Sequence, residues 1–305
     1  MRFKYNMQII EEVIDRIDDW KGRKISFHPM SGGLTNTNYK VLVDEKPYFV
    51  RVPGAGTDLL AVDRKNEYFN TRAAAETGVG PKVHYYLPDF QVMVLEFLEG
   101  TTMSNASLGI GQMPTKIAQA IKRLHEGPRF LTDFNMFRLT EYYLDICKQQ
   151  DIRIPNGYPE RLPAVRRIEQ AMAVHPLPTV PCNNDLLAEN YIFDGRDLYI
   201  IDYEYSGNND PCFELGNTCQ ELLYDDARIA EVSEAYFGNL RQDKISRMKL
   251  YMIMSDVGWA LWAAIQAKIS KIDYNFWGWA VERWERAVQK LDSTEFRSWL
   301  ENVQS

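Results

Sequence analysis

Histidine and cysteine are scarce, with four of each in 305 residues. The cysteines, Cys147, Cys182, Cys212 and Cys219, form no Cys-x-x-Cys pair and have no histidine beside them. That spacing argues against a zinc site or a disulfide framework, and it fits a reducing, cytoplasmic setting. No run reaches the roughly 18 uncharged apolar residues of a membrane span. The first twenty residues carry charges every few positions, so no signal peptide is expected. Basic residues are outnumbered, 35 against 42 acidic, for a net charge of −7. With the acidic residues scattered, there is no basic footprint for nucleic acid. Internal repeats, low-complexity tracts and long linkers are also missing.

What remains is ordinary globular composition, 45% hydrophobic and 25% charged. The length suits two lobes sharing a cleft. Residues 6–20 carry Ile9, Ile10, Val13, Ile14 and Ile17 at helical spacing. Three short strands follow in KISFHPM, NYKVLVD and PYFVRV, then a long helix over 58–78 closed by Gly78. KVHYYL and QVMVLEFL read as two more strands. After Gly100 the pattern turns helical, at 114–125, 133–149 and 158–174. A strand-like island at 178–203 holds a hairpin around Asp194-Gly195, and helices resume near 212. The expected division is residues 1–98 as a sheet-rich N-terminal lobe and 99–305 as a mainly helical lobe.

Asp185, Asn190 and Asp202 carry the chemistry of the island. A hairpin after Asn190 folds Asp202 back beside it, and the amide oxygen and carboxylate together suit Mg²⁺, a hard cation. Asp185, in a preceding loop, would orient and deprotonate a substrate hydroxyl. Upstream, the loop around Gly32, Gly33, Thr35 and Asn36 has the glycines and N–H groups to cradle phosphates. Arg51 is a lone charge in an apolar strand, and Glu67 on the next helix is its expected partner. Glu96, Phe97 and Leu98 would form a hinge offering backbone groups to an adenine edge. Trp259 and Trp262, three positions apart, share one helix face. By itself that spacing favours core packing over a ligand wall. Trp277, Trp279 and Trp284 read as packing.

In this order, SGGLTNTNY, YFVRVPG, NDLLAEN, IDYEYSGNNDPCFELGN and WALWAAIQAKIS resemble the choline/ethanolamine kinase family. These are protein-kinase-like small-molecule phosphotransferases related to the aminoglycoside phosphotransferases. The resemblance spans about residues 25 to 290. It implies an α+β, protein-kinase-like two-lobe fold, with an N-terminal antiparallel sheet, one long helix and a mainly helical C-terminal lobe. It also implies ATP and Mg²⁺ as cofactors and transfer of the γ-phosphoryl group to choline or ethanolamine. Asp185 would then be the catalytic aspartate, with Asn190 and Asp202 as metal ligands. Tyr205, Glu221, Trp259 and Trp262 fall where the family binds choline, a quaternary ammonium drawn to aromatic faces. Two departures stand out. Asn183 replaces the histidine that normally braces the catalytic loop, and Asp226 replaces a cage tyrosine, with Tyr224 nearby. Choline is the expected acceptor. The alternatives are ethanolamine, another hydroxylated cation such as thiamine or an aminoglycoside, or binding without catalysis. No nucleic-acid partner is expected, and a homodimer is left open.

Overall fold

The computed structural model describes residues 2–30, 36–54 and 57–305. α1 (Arg2–Arg16) leads into β1 (Ile25–Met30), β2 (Asn36–Val43) and β3 (Lys46–Pro53). After α2 (Arg64–Glu76), β4 (Val83–Leu87) and β5 (Val92–Glu96) complete an antiparallel sheet in the order β1-β2-β3-β5-β4. Alternation sets its buried face: Tyr39, Val41, Val50, Val52, Val92 and Val94 pack together with Ile10 and Val13 of α1 and with Ile17 just after it. Apolar residues at strand period on the sheet thus bury the apolar stripe of the helix.

The helix expected over 58–78 is in fact broken. Thr57–Leu60 form a single 3-10 turn, and Ala61 takes a left-handed φ of 59°. Asp63 then starts α2, its carboxylate accepting from the N–H groups of Lys65 and Asn66. An aspartate positioned to cap outweighs the continuous apolar pattern before it. Gly78 does follow the end of α2, with φ +73°.

The rest is mainly helical: α3 (Asn105–Leu108), α4 (Met113–His125), α5 (Met136–Gln149), α6 (Tyr158–Val174), α7 (Pro211–Glu221), α8 (Asp226–Phe237), α9 (Gln242–Ile269), α10 (Phe276–Leu291) and α11 (Phe296–Asn302). Short strands lie among them. β6 (Thr101–Thr102), β8 (Tyr191–Phe193) and β9 (Leu198–Ile200) form one sheet, and β7 (Val180–Cys182) pairs with β10 (Gly207–Asn209). The expected hairpin is present: Tyr191 pairs with Ile200, and Gly195 at the tip has φ +99°. α9 is buried from Ile245 almost continuously to Gln266 and forms the axis of the lobe. Gly216 lets α7 lie against it, since a Cβ there would stand 2.5 Å from the Met248 carbonyl oxygen. That axis carries both tryptophans toward the cleft. Among the described residues, no helix is long and apolar enough to cross a membrane.

Candidate active site

The loop after β7 is held from behind by buried polar groups. The Glu214 carboxylate on α7 accepts the backbone N–H groups of Asn183 and Asn184, at 3.0 and 2.6 Å. Asn184 has φ +70°, and its side-chain amide donates to the carbonyls of Cys182, Tyr205 and Gly207. Asn183 reaches the other way. Its Nδ2 donates to the carbonyls of Ile201 and Asp202, and its Oδ1 accepts the Asp185 N–H at 3.1 Å. One amide therefore ties the Asp185 loop to the segment carrying Asp202. It needs both a donor and an acceptor for this, which an asparagine side chain supplies.

The hairpin closes the remaining side. The Ile201 N–H donates to the Asn190 carbonyl, which sets Asp202 next to Asn190. Asn190 Nδ2 donates to the Asp185 carbonyl at 2.7 Å, so its Oδ1 is the atom left for a ligand. Asp185, Asn190 and Asp202 line the same cavity. Burial, followed by the carboxylates of Glu221, Asp202 and Glu204, pushes the Asp185 carboxyl well above the usual range. Asn190 Oδ1 and the Asp202 carboxylate are hard oxygen donors, and they fit Mg²⁺ by that chemistry.

Behind Asp202 lies a buried charge cluster that joins the lobes. Arg51 Nε stands 3.0 Å from Glu67 Oε1, the pairing expected from the sequence. The same guanidinium reaches Asp202 at 2.7 Å and Glu204 at 3.0 Å. Arg64 bonds Glu67 at 2.7 Å and Glu204 at 3.2 Å, and Asn36 Nδ2 donates to Glu204. Gly32, Gly33 and Thr35 lie outside the described residues. In the expected hinge, the Glu96 N–H donates to the Lys82 carbonyl, Lys40 Nζ sits 4.0 Å over the Phe97 ring, and Leu98 is half-buried.

The cavity measures about 710 Å³ and runs from Asp202 to an aromatic end. Tyr205, Trp259 and Trp262 line it, as does Glu221. Both indole N–H groups are already used: Trp259 donates to Asn217 Oδ1 at 3.0 Å, and Trp262 to the Tyr205 hydroxyl at 2.7 Å. The rings therefore offer the cavity carbon surface and no indole hydrogen-bond donor. Glu221 Oε2 accepts from Arg283 at 2.7 Å, whereas Oε1 is buried with no hydrogen-bond partner.

A model of the choline/ethanolamine kinase family matches residues 27–244. The chain belongs to that family. It is an ATP-dependent phosphotransferase with an alcohol as acceptor. A choline/ethanolamine kinase family protein from Mesorhizobium loti superposes with a TM-score of 0.86 at 29% identity, covering 98% of this chain and 99% of that one. Choline kinase LicA from Streptococcus pneumoniae gives 0.79 at 25% identity, covering 93% and 99%. Ethanolamine kinase 1 of Mus musculus is 26% identical over 308 residues, 88% of this chain and 84% of its own.

Two aromatic residues of this kinase's cavity escape a reading by motif. Trp279 lines it, against the expectation that it only packs, and its ring stands at 86° to Trp262 with centroids 5.8 Å apart. Tyr274 lines the mouth and stands nearly perpendicular to Trp279. The one sequence signal for Trp279 is local: it and Arg283 fall four apart on α10, on one face of that helix. Trp277 and Trp284 do pack, the first under Arg153 and the second stacked on Tyr158. Tyr224 is no part of the cage, since its hydroxyl donates to the Leu108 carbonyl in the interior. Asp226 is also elsewhere: it opens α8, exposed and paired with Lys249. Glu204 is the further residue the motif contained but its chemistry did not single out.

Proposed function

We propose that this kinase transfers the γ-phosphoryl group of ATP to the hydroxyl of choline, giving phosphocholine. The observation that carries this is the aromatic end of the cavity: Tyr205, Trp259, Trp262 and Trp279 surround space into which neither indole N–H of α9 points. A quaternary ammonium cannot donate a hydrogen bond, and cation–π attraction to such rings is its natural recognition. Residues 1–98 would hold the nucleotide, with Arg51 on its phosphates. Asp185 takes the hydroxyl proton as the oxygen forms its bond to the γ-phosphorus, and ADP leaves. Asn190 and Asp202 would hold Mg²⁺, which when bound neutralises phosphate charge.

One observation favours a second reading, ethanolamine. The unpartnered Glu221 Oε1 beside the cavity suits an ammonium that carries N–H groups, because a buried acceptor without a donor is costly. The test is ADP release from Mg-ATP with choline, ethanolamine and their N-methyl intermediates. Highest kcat/KM for choline supports the first reading, and a steady decline with each added methyl replaces it by the second. Trp262→Ala should raise the acceptor KM about tenfold and leave that for ATP within about twofold. Equal effects on both would return that indole to plain packing.

A further inference from the structure

We propose that Arg283 is a positioning residue of the acceptor site, holding the Glu221 carboxylate and the Trp279 ring in one fixed arrangement. The guanidinium is 1% exposed and lies where three helices meet. From α10, its Nη2 donates to Glu221 Oε2 at the end of α7, at 2.7 Å. Its Nη1 donates to Asp256 Oδ1 on α9, at 3.3 Å. Its carbon centre stands 4.4 Å over the ring of Trp279. Glu221, Trp279 and Arg283 all line the cavity.

Two consequences follow from that geometry. First, with Oε2 committed to Arg283, the carboxylate cannot turn freely, and the same oxygen, Oε1, stays without a partner. Second, one face of Trp279 is already occupied by a cation, so a ligand ammonium has to use the rest of the ring. Arg283 is itself fixed by Asp256, which lies three residues before Trp259 and so one turn along the same helix. Asp256 is in turn held by Arg286 at 2.7 Å and by Gln220 at 2.8 Å. Glu221, Asp256, Arg283 and Arg286 carry two charges of each sign, and Glu282, 3.7 Å from Arg286, adds a more exposed carboxylate. Discrimination at this end of the cavity then depends on where each charge is held, and Arg283 is the group bonded to both Glu221 and Asp256.

This inference rests on the reading of the cavity as an ammonium site, and its test is chosen to separate the two. Binding of choline, ethanolamine and tetramethylammonium to the full chain is measured by calorimetry without nucleotide, alongside steady-state kinetics. Arg283→Gln is expected to weaken cation binding and raise the acceptor KM by about tenfold to a hundredfold, with the ATP KM within about twofold. Arg283→Lys, which keeps the charge but cannot reach both carboxylates in the same way, should recover only part of the loss. In a Glu221→Gln background, Arg283→Gln should cost much less than it does alone, because the two act as a unit. Thermal unfolding identifies any variant that fails to fold, and the lysine variant keeps the test alive if the glutamine variant does. Full recovery by lysine, or additive losses in the double variant, overturns the inference. Cation binding without turnover of choline or ethanolamine would sink the proposed acceptor and leave the inference standing. No cation binding to the folded wild type would sink both.

Discussion

Asn183 shows how a single side chain can take over a task that its type does not suggest. Its amide joins the Asp185 N–H to the carbonyls of Ile201 and Asp202, so the proposed base and the proposed metal carboxylate share one strut. Asn183→Ala removes those bonds and leaves the loop held by Glu214 and Asn184. We expect kcat to fall by about tenfold to a hundredfold, with KM for the acceptor within about twofold. Steady-state kinetics checks this, and an unchanged kcat would mean that Glu214 and Asn184 suffice. Residues of this kind mark the limit of a sequence reading. Asp185, Asn190 and Asp202 were legible because their order along the chain already implies the hairpin that gathers them. Arg283 and Trp279 were not, because what makes them matter is contact across α7, α9 and α10, and no spacing along one helix reports that. Tyr224 and Asp226 misled for the converse reason. They are neighbours in sequence of Glu221, yet the chain turns after α7 and sends one side chain inward and the other to the surface.

At the scale of elements, the long helix α9 and its neighbour α7 set the shape of the acceptor end. Gly216 and Gly258 both sit at crowded helix contacts, but the obstacles differ. A Cβ at Gly216 would meet backbone, the Met248 carbonyl oxygen at 2.5 Å, together with Tyr251 Cβ at 3.2 Å. A Cβ at Gly258 would meet the end of the Met136 side chain, which can turn away. Gly216→Ala should therefore destabilise by about 1–3 kcal/mol through overpacking. Gly258→Ala should stay within about 1 kcal/mol, because alanine's helix propensity offsets part of the repacking. Denaturant unfolding of the two variants checks the contrast, and equal losses would refute it. The strands and most helices could be read from periodicity, since period 2 and period 3.6 each mark a buried face. The break before α2 could not, because a cap at Asp63 and a left-handed Ala61 interrupt a pattern that stays apolar up to them.

Across the whole molecule, the two lobes are joined where burial is most costly, at charges. Glu67, Asp202 and Glu204 converge on Arg51 and Arg64, drawing together β3, α2 and the segment after β9. A cluster kept for stability alone is a poor use of buried charge, since apolar groups of similar volume often do as well or better. Its position, touching Asp202 on one side and Asn36, next in sequence to the glycine-bearing stretch, on the other, points to a functional reason instead. Arg51→Gln separates the two accounts. It leaves the buried Glu67 and Glu204 carboxylates sharing Arg64 and removes the ion pair of the half-buried Asp202, and we expect a stability loss of about 3–5 kcal/mol by denaturant unfolding. If the cluster serves the nucleotide, the ATP KM also rises about tenfold or more, while cation binding at the far end of the cavity, measured without nucleotide, stays within about twofold. Loss of stability with an unchanged ATP KM would reduce Arg51 to a structural tie between the lobes. An equal weakening of cation binding would mean instead that the cluster sets the shape of the whole cleft.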